Sequence, residues 1–178
     1  MRAVTRPLSD YVDGAVDLND VAGGDGVLFV RNAVGIAGRG VAATVAVDEA
    51  AEFLSALDHD TTGSAAGPVA LGCVPFVPGS PAELLVPAVQ VRKGADGATS
   101  VTVVGDMSRS VVVEALTQRT PARATAASWS IEPAVGVEAY LTAVMAARDA
   151  VRAGDLTKAV IARPIVVKSS EPIDVHAV

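Results

Sequence analysis

The feature that most restricts this fold is a series of short β-branched apolar runs, each cut off by a turn-forming residue. The runs are Gly26 to Arg31, Val34 to Ile36, Val41 to Val47, Val69 to Val74, Leu84 to Val86, Val89 to Arg92 and Thr99 to Val104. Runs of this length, bounded by Gly, Pro or Asp, read as strands and are too short for helices. Val69 to Val74 reads as a buried strand ended by Pro75. Val89 to Arg92 alternates apolar and polar residues, as a half-exposed strand does. Lys93-Gly94-Ala95-Asp96-Gly97 reads as the hairpin connection to Thr99–Val104. Gly38-Arg39-Gly40 reads as a second hairpin turn, because glycine tolerates the positive φ such turns need. The surrounding GIAGRG lacks the GxGxxG spacing of a phosphate loop, and no clear helix follows it. The first two-thirds are therefore expected to be mostly antiparallel β.

Around these runs lie segments of other character. Residues 1–25 scatter Asp10, Asp13, Asp17, Asp20 and Asp25 among glycines and read as a loosely ordered, solvated lead-in. The spacing of these carboxylates does not match a calcium loop. Asp48 suits an N-cap for a helix over Glu49 to Leu57, whose Ala50, Phe53, Leu54 and Leu57 share one face. His59, in a polar Gly-rich loop, is expected in solvent. Val111 to Leu116 fits either a strand or a helix, and Thr120 to Ser128 reads as a surface linker. Trp129 is expected to anchor packing. Val137 to Ala153 is the clearest helix, with Val137, Leu141, Val144, Ala147 and Val151 on one stripe and Gly154 as its C′ residue.

Composition narrows the functional classes. Aromatic residues make up only 3% of the chain, so the core must be built from Val, Ala and Leu. A formal net charge of −6 argues against a nucleic-acid partner, which would need a basic stripe. It leaves room for a small anionic substrate, for which one local cation suffices. Cys73 is the lone cysteine, so neither a disulfide framework nor a cysteine metal site can form within the chain. No signal-peptide core and no membrane-length apolar run is present, so a cytoplasmic location without membrane association is expected.

The run after Gly154 is Leu156-Thr157-Lys158-Ala159-Val160-Ile161-Ala162-Arg163, read as a strand with a lysine at its entrance, continuing through Val167. Together with Trp129, Tyr140 and Val144, this run resembles the chorismate-utilising enzymes, specifically the isochorismate synthases, whose strand reads K-V-V-L-A/S-R. Ala70-Leu71-Gly72-Cys73-Val74-Pro75-Phe76 with Pro81-Ala82-Glu83-Leu84 is similar to the family's ALGALPFD…PAELVVP segment. Glu171-Pro172-Ile173-Asp174 is similar to its D-P-hydrophobic-D turn. The resemblance covers residues 26–178, and the strand motif is its specific part. Ala159 departs from the usual valine, and Pro164 removes a backbone donor, which suggests a sheet edge or bulge.

The resemblance implies an α+β fold, with two mainly antiparallel sheets packed face to face and helices outside. It implies conversion of chorismate to isochorismate, with water added at carbon 2 of the ring and loss of the hydroxyl at carbon 4. Lys158 is then the general base. Water-using members carry lysine here, and ammonia-using members carry glutamine. A lysine works as a base only when burial lowers its pKa. Mg²⁺ is the implied cofactor, with its ligands, the general acid and most substrate groups in a C-terminal part.

Residues 26–178 are accordingly expected to be the N-terminal part of one truncated chorismate-binding domain. A helix start at Asp174 followed by so few residues gave the same expectation. His176 earns no role there. Two alternatives stand beside this reading. One is a salicylate synthase of the same family. The other is a non-catalytic subunit pairing with a separate C-terminal half. The product's destination, a siderophore or a quinone, is left open.

Overall fold

A computed structural model describes residues 1–62, 67–77, 79–119 and 128–173. The chain divides into two compact units, Met1–Pro121 and Ala122–Val178. The boundary therefore falls far from residue 25, where the sequence suggested one. The class is α+β, as expected.

The first unit begins with strand β1 (Arg2–Pro7), a 3₁₀ turn (Leu8–Asp10) and helix α1 (Leu18–Ala22). Next come β2 (Val27–Arg31), β3 (Val34–Arg39), β4 (Ala43–Ala46), α2 (Ala50–Ser55) and β5 (Asp58–Thr61). The unit continues with β6 (Glu83–Val86), β7 (Val89–Lys93), β8 (Thr99–Val104) and α3 (Arg109–Thr117). Six strands form one sheet in the order β2-β3-β7-β8-β1-β5. Every pairing in it is antiparallel except β1 with β5. Strands β4 and β6 form a separate antiparallel pair.

Two cores lie on opposite faces of the six-stranded sheet. Val89, Val91, Val101 and Val103 bury against Leu18, Val21 and Ala22 of α1 and Val112 and Leu116 of α3. One residue along β8 the side chain reverses, as the pleat requires, and Val104 joins Ala3, Val45, Ala50, Leu57 and Val86. Each valine so buried contributes about 1.5–3 kcal/mol over an exposed one. These cores contain no aromatic side chain among their buried members, as the composition required.

Several expectations are corrected here. Residues 1–25 are no loose lead-in. Ala3 and Thr5 of β1 are fully buried between β8 and β5, and Asp17 caps α1 by accepting the Asn19 N–H at 2.8 Å. Gly38-Arg39 is strand, not turn. Gly38 is needed because a Cβ there would lie 2.3 Å from Pro87 Cγ. The hairpin turn is Asn32-Ala33, both with positive φ (53° and 61°), which fits a two-residue primed turn between β2 and β3. Glu49 rather than Asp48 occupies the N-cap of α2, without a side-chain hydrogen bond.

Val69 to Val74 forms one isolated bridge, Leu71 to Leu85, rather than a strand. Its hold on the sheet comes from Gln90, which is 2% exposed, not half-exposed. Gln90 Oε1 accepts the Val69 N–H at 2.9 Å, and its Nε2 donates to Val69 O and Pro87 O. Val111 to Leu116 lies within helix α3. Of the expected linker, residues 120–127 lie outside the described residues.

The second unit contains β9 (Trp129–Pro133), α4 (Val137–Ala153) and β10 (Ile165–Ser169), with β9 and β10 paired antiparallel. Helix α4 has the expected bounds and ends on Gly154 at φ 84°. Trp129 is 50% exposed and does not serve as a buried anchor.

Two substitutions test this account of the first unit. Ala33→Gly relieves a left-handed alanine and is expected to raise stability by about 1 kcal/mol. Gly38→Ala drives a methyl into the Pro87 ring and is expected to cost about 1–3 kcal/mol. Urea unfolding with unchanged m-values reads both. Equal stability of Gly38→Ala and the parent chain would disprove the close approach.

Candidate functional site

The residues singled out by the sequence lie on and beside helix α4. Its stripe follows from apolar residues at helical spacing, and Gly154 turns the chain at its end. The Asp155 N–H donates to Ala150 O at 3.0 Å, and the Leu156 N–H donates to the same carbonyl at 3.3 Å. The chain then folds back along the helix. Ala159 and Ile161 line a shallow cleft of about 480 Å³ together with Tyr140, Val144, Ala147, Arg148, Val151 and Arg152. The Arg163 guanidinium lies 5.7 Å from the Tyr140 ring centroid, within cation–π range.

Lys158 is exposed, next to this cleft, and residues 156–164 form no strand. The expected strand over 156–163 is thus corrected to Ile165–Ser169. A strand needs a neighbour to receive its ladder. Strand β9 supplies one only for residues 165–169, and Pro164 has no N–H to extend it. The Pro164 carbonyl instead accepts the Ala134 N–H at 3.0 Å, at the end of the β9–β10 ladder. Pro164 therefore lies just before the strand, where a sheet edge or bulge was expected.

Electrostatically the cleft is basic. Arg148 and Arg152 line it, and Arg148 is engaged by the neighbouring Asp149 at 2.8 Å. Apolar walls with two arginines suit a small anion. Among the described residues no group of three or more His, Cys, Asp or Glu is placed to hold a metal ion. These residues do not fit a magnesium site. The expected helix start at Asp174, and His176, lie outside the described residues.

A polar array in the first unit escaped the sequence reading. Thr5 Oγ1 shares hydrogen bonds with His59 Nε2 at 2.8 Å and Thr102 Oγ1 at 2.9 Å. His59 is half-buried rather than free in solvent, and a Cβ on Gly67 would lie 2.9 Å from its Cε1. Beside it, Asp60 Oδ2 accepts from Arg6 at 2.8 Å and Arg2 at 2.9 Å. A threonine–histidine pair has the distance of a nucleophile and its base, yet Thr5 is fully buried and presents no oxygen to a substrate. The array fastens strand β5 to β1. Its partners are more than 50 residues apart, and the pairing of β1 with β5 and with β8 brings them together.

Compared with protein-family models, curated proteins and solved structures, the chain matches none. Among the described residues, no helix is long and apolar enough to cross a membrane.

The Asp60 cluster yields a pH prediction. The hydrogen bond and charge of Arg6, aided by Arg2, hold the Asp60 carboxyl below its ordinary value. A carboxylate depressed in the folded state adds stability above its unfolded pKa of about 4 and loses it as pH falls through the folded value. Asp60→Asn is therefore expected to lower stability at neutral pH and to flatten its fall below about pH 4. Urea midpoints measured across that range check this. An unchanged acid limb in the variant would rule out the Asp60 contribution.

Proposed function

We propose that the chain is the N-terminal portion of an isochorismate synthase and that Lys158 is its general base. One observation supports this beyond the sequence motif. Among the described residues of Ala122–Val178 none is buried, although the unit is rich in large apolar side chains. Ile131, Val137, Leu141, Met145, Val160 and Ile165 are all about half exposed or more. A unit that buries nothing of its own presents an apolar face for a further layer of polypeptide. Covering that face removes water from around Lys158, as a lysine base requires.

The chemistry follows from that burial. The Lys158 amine takes a proton from the water that attacks carbon 2 of the chorismate ring, and the hydroxyl at carbon 4 departs with a proton from an acid on the covering layer. The basic rim of the α4 cleft suits the substrate's carboxylate. The exposure of Lys158 gives a second reading its footing: a non-catalytic subunit whose apolar face binds a partner.

The chain alone is expected to show no magnesium-dependent turnover of chorismate, and detectable isochorismate in a coupled assay would refute that. The decisive experiment joins the chain to the C-terminal half of an isochorismate synthase. Isochorismate formation is expected, falling by about 100-fold or more in Lys158→Gln with KM little changed. Near-normal rates in Lys158→Gln would remove Lys158 as the base. A folded joined enzyme without conversion would favour the binding subunit.

A further inference from the structure

The two edges of the six-stranded sheet are built differently. Edge β5 reads Asp58-His59-Asp60-Thr61, and Asp58 together with Asp60 and its arginine partners blunts it against another strand. Edge β2 reads Val27-Leu28-Phe29-Val30-Arg31 and carries no charge before its last residue. Leu28 and Val30 are 44% and 41% exposed, and Phe29 is 74% exposed. An apolar edge of this kind is a template for one more strand.

The β2–β3 hairpin fixes which groups the edge offers. The two-residue turn makes Arg31–Val34 a hydrogen-bonded pair, so Phe29–Ile36 and Val27–Gly38 are hydrogen-bonded as well. Leu28 and Val30 therefore turn their N–H and C=O groups away from β3, toward the open edge. On the helix-covered face Leu28 stands beside Ala37; on the other face Phe29 stands beside Ile36.

We propose that edge β2 pairs antiparallel with β2 of a second copy of this chain, on a two-fold axis through Phe29. The strand is self-complementary in that register. Leu28 meets Val30 of the other copy, and each such pair exchanges both of its hydrogen bonds. Phe29 meets Phe29 as a non-hydrogen-bonded pair, where side chains approach most closely. Arg31 falls opposite Val27, two residues after Asp25 in the turn that precedes β2 of the other copy. Asp25 is 82% exposed, and its ion pair with Arg39 is long at 3.9 Å, so it can turn toward a second arginine. No like charges face each other, and the two-fold repeats the Arg31–Asp25 complement at both ends. Closure by two-fold symmetry uses up the edge and limits assembly to a dimer.

The test uses the full chain. Sedimentation from about 1 μM to 1 mM is expected to show a monomer–dimer equilibrium. Val30→Pro removes an outward N–H while sparing the β2–β3 ladder, and is expected to weaken the dimer at least about tenfold with folding retained. The register is read separately in a Cys73→Ser background. Phe29→Cys is expected to oxidise to a covalent dimer, since the Cα spacing of a facing non-hydrogen-bonded pair suits a disulfide. Leu28→Cys, which faces Val30 instead, is expected to crosslink far less. A monomer throughout, open-ended aggregates, a dimer indifferent to Val30→Pro, or equal crosslinking at both positions would each overturn the proposal.

Discussion

The first unit depends on the seating of its N-terminal strand. Strand β1 pairs with β8 on one side and β5 on the other, and Ala3 and Thr5 are buried completely there. Without β1, Val104 loses Ala3 from its core, and β5 loses the strand it is paired with. The pairing joins residues about a hundred positions apart, so it forms only after a large loss of chain entropy. What offsets that loss is burial on both faces, with α1 and α3 on one side and α2 with β4 and β6 on the other. The small side chains of Gly38 and Ala37 let neighbouring elements come close enough for a core made of valines.

The second unit has the opposite character. Helix α4 and the β9–β10 pair are regular, yet no described residue there is buried. Local signals mark the bounds of such elements: a stripe of apolar residues, a left-handed glycine at the helix end and a short antiparallel ladder. Without tertiary burial, the run beside Lys158 stays irregular and its lysine stays in water. The proposed activity accordingly depends on a covering layer, since desolvation is what turns a lysine from a surface charge into a base.

Much of the fold was legible where one local rule decided the outcome. The bounds of α4, the Lys93–Gly97 connection and strands β2, β6, β7 and β8 followed from periodicity and turn residues. The errors share one cause, which is that tertiary context decided between locally equal choices. Gly38 looked like a turn because glycine permits positive φ, but it serves a close approach to Pro87. Gln90 looked half-exposed because it is polar, but its amide satisfies the Val69 backbone in a buried place. His59 looked free because its sequence neighbours are polar, but its partner Thr5 lies 54 residues earlier in the chain. Residues 156–163 looked like strand because Thr157, Val160 and Ile161 are β-branched in a largely apolar run, but no described neighbour completes a ladder with them.

The sequence by itself determined a β-rich chain with a few helices, a core without buried aromatic residues, helix α4 with its glycine stop, and a basic, apolar motif around Lys158. Each follows from composition or from spacing within a few residues, where physical chemistry is local. Only the tertiary structure decided that β1 lies inside the sheet, that β2 is left as its unprotected edge, and that Lys158 stands in solvent. Strand order and burial depend on which distant segments meet, and an edge or an exposed amine is defined by what fails to cover it.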